Sequence, residues 1–148
     1  MKILITGIHG FVGSNIVEYL KSENEIYGLD IVSPVKAGIV KTFSWDDLDA
    51  GLVPAVDAII HLAGKAHDTK NKSAADVYFK VNTGLTQKIF DYFRISGAKK
   101  FVFFSTAKAA ADRVEGVLTE DVVPTPVGPY GESKIKAEEY VLSKELPV

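Results

Sequence analysis

Apolar and polar positions along the chain fall into blocks whose period changes, and each change marks a new element. Lys2, Ile3, Leu4 and Ile5 form a short apolar run of the kind that a fully buried parallel strand requires. Over residues 11–21 the spacing becomes helical, with Val12, Ile16, Tyr19 and Leu20 as the expected apolar stripe. Residues 25–30 read as a second strand and 39–42 as a short third, followed by a helical turn or two over 45–50. A fourth strand is predicted over 56–61 and a polar loop over 64–72. Ser73 is placed to cap a long helix in which Val77, Val81, Leu85 and Ile89 recur every fourth residue, ending near Gly97. Residues 100–105 supply a fifth strand. The helix between the fourth and fifth strands is the crossover that parallel pairing needs. The fold class is therefore α/β, a doubly wound parallel sheet with its ligand crevice beyond the carboxyl ends of the strands.

Composition narrows the function classes. With 148 residues, 47% apolar and 24% charged, the chain reads as one domain over residues 1–148 with a core of ordinary size. A net charge of −2 makes no electrostatic case for nucleic acid or an anionic membrane. No stretch is long enough to span a bilayer, and the N-terminus runs straight into a strand with no signal peptide, so the expected location is cytoplasmic. The absence of cysteine excludes disulfides, thiolate metal sites and a cysteine nucleophile. His9, His61 and His67 lack metal-ligand spacing, so no metal is expected. Asn71, Lys72 and Ser73 match a glycosylation acceptor by chance, in a chain without an export signal.

Three short signals carry the candidate chemistry. Between the first strand and the first helix lies Thr6-Gly7-Ile8-His9-Gly10-Phe11-Val12-Gly13, a G-x-x-G-x-x-G turn. At such a junction one glycine permits the turn, one lets backbone approach a pyrophosphate and one allows close helix-strand packing. The phosphate charge then rests on the amides of the helix N-terminus. Asp30 ends the second strand 20 residues after Gly10. A carboxylate there accepts hydrogen bonds from adenosine ribose hydroxyls and repels a 2′-phosphate, which selects NAD over NADP. Tyr130 and Lys134 share a helix face one turn apart, with Pro129 suited to the first turn of that helix. A nearby ammonium favours the phenolate and prepares the tyrosine for proton transfer. Tyr140 and Lys144 repeat the spacing nearly three turns deeper, away from the strand ends. Asp46 or Asp47 stands either at an adenine or as an ordinary acid at a helix start. Trp45 and the apolar helix stripes read as core.

In these motifs the chain resembles the N-terminal portion of an extended short-chain dehydrogenase/reductase, in the NAD-dependent epimerase/dehydratase family that acts on nucleotide sugars. Besides the glycine loop and Asp30, His61-Leu62-Ala63-Gly64 resembles the family's H-L-A-A/G segment, Asn82 its helix asparagine, Ser105-Thr106 its serine/threonine site, and Tyr130-Gly131-Glu132-Ser133-Lys134 its Y-G-x-S-K. The resemblance implies an NAD-binding Rossmann fold, with Gly7, His9, Gly10, Phe11, Val12, Gly13, Asp30, Leu62, Ala63, Gly64, Asn82, Tyr130 and Lys134 at the cofactor. It also implies Thr106, Tyr130 and Lys134 as the catalytic set. Tyr130 would act as acid and base on the sugar oxygen, Lys134 would lower the tyrosine pKa and bind the nicotinamide ribose, and Thr106 would donate a hydrogen bond to the reacting oxygen. The implied reaction is oxidoreductase-type chemistry at C4 of a nucleotide- or lipid-linked sugar, ending in epimerisation or ketone reduction. A non-catalytic NAD-binding module is the other reading.

Some positions depart from the family pattern. Ala107 and Lys108 stand where sugar 4,6-dehydratases carry Asp-Glu after the threonine, which argues against dehydration. The same segment resembles a branch acting on lipid-linked or nucleotide-linked N-acetylhexosamines, where Lys108 faces either a substrate phosphate or solvent. Leu146-Pro147-Val148 resembles the opening of the family's sixth strand, so the C-terminal part of the sheet and the substrate domain are expected to be missing. A polypeptide so truncated would bind NAD without turning substrate over. Relatives dimerise through two long helices per subunit, here residues 73–95 and 130–143, and the resemblance implies a homodimer with Phe79, Phe90 and Tyr140 outward.

Overall fold

The computed structural model describes residues 1–65 and 74–144. Ser73 with its proposed cap, His67, the Asn71 tripeptide and the Leu146-Pro147-Val148 segment lie outside the described residues. The chain forms two compact units: Met1–Ala63 with Phe90–Phe104, and Gly64–Ile89 with residues 105–144. Among the described residues no helix is long and apolar enough to cross a membrane, and no group of three or more His, Asp or Glu is placed to hold a metal ion.

The first unit holds a five-stranded parallel sheet made of β1 (Lys2–Thr6), β2 (Glu25–Leu29), β3 (Lys41–Phe43), β4 (Ala58–His61) and β5 (Lys100–Phe103), ordered β3-β2-β1-β4-β5. The direction of winding reverses between β1 and β4, which makes that gap the switch point where doubly wound sheets bind ligands. Register follows the apolar pattern: Leu4 lies opposite Tyr27 and Ile59, while Ile5 lies opposite Gly28 and Ile60. One face therefore presents Ile3 and Ile5, which form a core cluster with Ile8, Val17 and Ile26. The other face carries Leu4, Ile59 and Phe101, because Ile59 pairs with Phe101.

Element ends move by one to two residues from the sequence expectation. β4 begins at Ala58, and just before it Asp57 bonds Lys2 twice, its N–H donating to the Lys2 carbonyl at 2.8 Å and its carboxylate accepting the Lys2 N–H at 2.7 Å. The expected fifth strand stops at Phe103, and the third runs over Lys41–Phe43. α2 (Trp45–Asp49) starts in a capping box: Ser44 Oγ accepts the Asp47 N–H at 3.1 Å, and the Asp47 carboxylate accepts the Ser44 N–H at 2.8 Å. Asp47 is thus the helix-start acid, and these hydrogen bonds hold its carboxyl below its ordinary pKa.

α1 (Phe11–Leu20) is rotated from its expected stripe. Val17 is fully buried and Gly13 faces inward, whereas Val12 is exposed and Tyr19 is 86% exposed. The cause is Gly13, which lets the helix approach the backbone of Gly7 and Ile8 so closely that the inward face is set around it. Phe11, Val12, Tyr19 and Leu20 line an open apolar groove with Ile60 and Phe104.

The second unit contains α3 (Ala75–Tyr78), a π-helical turn (Phe79–Gly84), the start of α4 (Leu85–Ser96), α5 (Ala107–Ala110) and α6 (Gly128–Leu142). The expected stripe of Val77, Val81, Leu85 and Ile89 is only partly realised. Val77 is exposed, Val81 and Leu85 are half-buried, and Tyr78, Asn82 and Thr86 are buried. The wide π turn shifts the inward face by one position, and a polar stripe can be buried there because its groups are hydrogen-bonded. Thr86 Oγ1 donates to the Asn82 carbonyl at 2.6 Å. Phe90 is not outward: it is fully buried and packs against Phe93 and Phe101 with centroids 5.7 and 5.0 Å away. The apolar surface of β5 outcompetes solvent for that ring.

Candidate active site

In the first unit, the loop after β1 and the loop after β4 are joined by one buried side chain. Thr6 Oγ1 accepts the N–H groups of Leu62 at 3.1 Å and Ala63 at 3.0 Å, and it lies 2.6 Å from His61 Nδ1. One buried hydroxyl therefore meets three partners from the end of the neighbouring strand. The His61 ring stacks on Phe103 at 5.7 Å. Thr6 and His61 were legible only as the flanks of motifs, and the signal for their role was a hydroxyl and an imidazole at the polar ends of adjacent apolar strands.

Gly7 sits at φ 66°, and a Cβ there would meet the Ala63 backbone at 2.9 Å. The two loops are therefore in backbone contact, which no other residue type permits. A Cβ on Gly13 would lie 2.5 Å from the Gly7 carbonyl oxygen. Gly10 is the N-cap of α1 and contributes no side-chain cap, and no acidic residue occupies the first turn. The first-turn amides, those of Phe11 and Val12 included, are left for an anion.

Asp30 is oriented by backbone. Its Oδ2 accepts the His9 N–H at 3.0 Å and its Oδ1 the Ile31 N–H at 2.7 Å, while His9 Nε2 lies 2.9 Å from Thr42 Oγ1 on β3. A fixed carboxylate beside an uncapped helix start, at a turn whose glycines bring the loops and helix into backbone contact, fits the adenosine ribose and pyrophosphate of a dinucleotide.

Gly64, Asn82, Thr106, Tyr130 and Lys134 belong to the second unit. Tyr130 lies in the first turn of α6, with Pro129 at the helix start, and its ring meets Tyr78 edge-on at 6.3 Å. Asn82, 1% exposed, is a strut: its Oδ1 accepts the Lys65 N–H at 2.7 Å, and its Nδ2 donates to the Lys65 carbonyl at 3.2 Å and to Ser133 Oγ at 3.0 Å. Ser133 Oγ in turn donates to the Tyr130 carbonyl at 2.8 Å. The Lys65 backbone is thus tied to the helix turn bearing Tyr130 and Lys134. In the sequence, Ser133 is legible only as part of the Y-G-x-S-K motif.

Lys134 is buried at 7% exposure. Burial lowers its pKa to about 8, against an opposing pull from the Glu138 carboxylate. Thr106 caps α5, its hydroxyl accepting the Lys108 N–H at 3.3 Å, and α5 packs on α6. Lys108 is paired with Asp112 at 2.7 Å on the exposed side of α5. Lys144 lies over the ring of Tyr140 at 4.9 Å, a surface cation–π pair and not a second buried lysine.

The chain belongs to the NAD dependent epimerase/dehydratase family, whose model matches residues 3–145. NAD is the cofactor of that family. A UDP-glucose 4-epimerase of Streptococcus mutans is 31% identical over 93% of this chain and 45% of its own length. The solved structure of MoeE5 with UDP-glucuronic acid and NAD superposes with a TM-score of 0.84 at 25% identity, over 97% of this chain and 49% of that one. The UDP-Glc/GlcNAc 4-epimerase of Campylobacter jejuni superposes at 0.81 with 29% identity, over 96% of this chain and 48% of that one. The chain spans about half the length of the relatives it matches.

Proposed function

We propose that residues 1–148 form the NAD-binding domain of a nucleotide-sugar 4-epimerase, with Tyr130, Lys134 and Thr106 as its proton-transfer set. The observation that carries this is the buried Lys134 one turn from Tyr130, on a helix turn locked by Ser133 and Asn82. Bound NAD supplies reversible hydride acceptance at the sugar carbon. The chain's own residues manage the proton. Tyr130 takes it from the C4 hydroxyl and returns it, the Lys134 ammonium stabilises negative charge on the phenolic oxygen, and Thr106 hydrogen-bonds the reacting oxygen. General acid-base catalysis of this kind contributes about 10²–10⁴-fold. On the cofactor, Gly7 and Gly13 allow the close backbone approach that shapes the loop, the first-turn amides of α1 face the pyrophosphate, and Asp30 binds ribose. Asn82 acts by holding the backbone of Lys65, next to Gly64.

Calorimetry with NAD on the wild type and Tyr130→Phe is the first test, with equal affinities expected. In a protein of the relatives' length, Tyr130→Phe should abolish conversion of UDP-glucose to its C4 epimer, whereas Tyr140→Phe should not. Equal losses in the two variants would remove Tyr130 from the role. Pairing of two copies through the helices bearing Phe79 and Tyr140 belongs to the same proposal, without Phe90. Both rings are half-buried, and Lys136 lies over Phe79 at 4.9 Å. Sedimentation at micromolar concentration should show a dimer that Phe79→Glu weakens; a wild-type monomer would refute it.

A further inference from the structure

Tyr130, Lys134 and Glu138 stand at four-residue steps on α6 and so share one face of the helix. Lys134 is buried, and a buried ammonium without an opposite charge tends to lose its proton. Glu138 is half-buried, and its Oε1 accepts a hydrogen bond from Ser105 Oγ, which fixes its rotamer. Ser105 immediately precedes Thr106, so the same two-residue step that supplies the Thr106 hydroxyl also clamps the carboxylate.

We infer that Glu138, held by Ser105, is the positioning residue that keeps Lys134 protonated beside Tyr130. This rests on the proton-transfer reading of Tyr130 and Lys134. Among the described residues, the other ionisable groups on elements packed against α6 do not substitute for it. α3 carries Tyr78 and the exposed Asp76, the π turn carries the exposed Lys80, and α5 carries Lys108, whose charge is taken by Asp112. Lys65 lies over the Tyr78 ring at 5.5 Å and is itself a cation. On α6 itself, Glu132, Lys136 and Glu139 point away from the buried face. Among the described residues, Glu138 is the acid whose charge bears on Lys134, and it acts to raise the lysine pKa against burial. Ser105 therefore has a function separate from that of Thr106.

The test is a pH titration of the Lys134 side chain by NMR on lysine labelled with carbon-13 at Cε, the resonance being assigned by its loss in Lys134→Arg. The wild-type midpoint is expected near 8. Glu138→Gln, which keeps the shape and can still accept from Ser105, should lower that midpoint by roughly half a unit to one unit. Glu138→Asp should restore part of the shift, and Ser105→Ala should move the midpoint in the same direction by less. A midpoint that stays put or rises in folded Glu138→Gln overturns the inference, as does a loss of melting temperature with no change of midpoint. Should Glu138→Gln fail to fold, Ser105→Ala decides on the same readout, and an unmoved midpoint there overturns the inference equally. Neither cofactor nor turnover enters this measurement, so failure of the catalytic reading, seen as absent NAD binding or an active Tyr130→Phe, stays distinguishable from failure here.

Discussion

Gly131 lies directly against the backbone of Lys108: a Cβ on Gly131 would fall well inside contact distance of the Lys108 carbonyl oxygen and 3.1 Å from Pro126. The first turn of α6 thus rests on α5 with no side chain between them. The glycine in Tyr130-Gly131-Glu132-Ser133-Lys134 is there for approach, since its φ is not in the left-handed region, and it sets where the neighbouring tyrosine stands.

Gly131→Ala should therefore push α6 off α5 and cost about 1–3 kcal/mol, as overpacking of a close contact does. Urea denaturation measures the loss. Stability within about 0.5 kcal/mol of wild type, the range of ordinary surface changes, would show that the contact relaxes freely.

Thr6→Val keeps the shape of the side chain and removes the hydroxyl that serves Leu62, Ala63 and His61. Leu62 keeps the Thr6 carbonyl as acceptor, but the Ala63 N–H loses its partner, at a cost of about 1 kcal/mol. The same change should weaken NAD binding in calorimetry, because the Ala63 loop loses its tether beside Gly7.

Asp30→Ala should lower NAD affinity by roughly 10- to 100-fold, the value of charge-assisted hydrogen bonds worth about 1.5–3 kcal/mol. The wild type should prefer NAD to NADP, and the variant should lose most of that preference. Paired titrations with the two dinucleotides read both effects, and a wild type that binds NADP more tightly would reverse the assignment.

Burial lowers the Lys134 pKa from 10.5 to about 8, with Glu138 opposing. Between those two values the unfolded chain binds more protons than the folded one, so this residue makes stability rise with pH across the interval. Below pH 8 both states are protonated, and the cost of the buried charge is fully present. Lys134→Met should accordingly be more stable than wild type at pH 7, by up to about 3 kcal/mol. The gap should narrow as pH climbs toward 10.5. Denaturation curves at pH 7 and pH 9.5 give the comparison, and a gap that widens with pH would contradict the burial of a charged lysine.

The chain's local patterns determined the sheet, the glycine loop, Asp30 and the Tyr130–Lys134 spacing, because strand and helix periods and turn residues act over a few neighbours. Which helix face turns inward was decided elsewhere. Gly13 rotates α1 through its approach to Gly7, and the π turn moves the buried stripe onto Asn82 and Thr86. Phe90 reads as a surface ring in a helical pattern and is core only because Phe101 pairs opposite Ile59 on that face. The Thr6 tether spans 56 and 57 positions to Leu62 and Ala63, and the Asn82 to Ser133 bond spans 51. Glu138 meets Ser105 across 33. Partners so far apart in sequence leave no periodic trace, since side-chain hydrogen bonds depend on where strands and helices come to rest. Residue types and spacing therefore marked the candidate residues, and tertiary contacts alone decided how those residues are held and which of them carry charge into the interior.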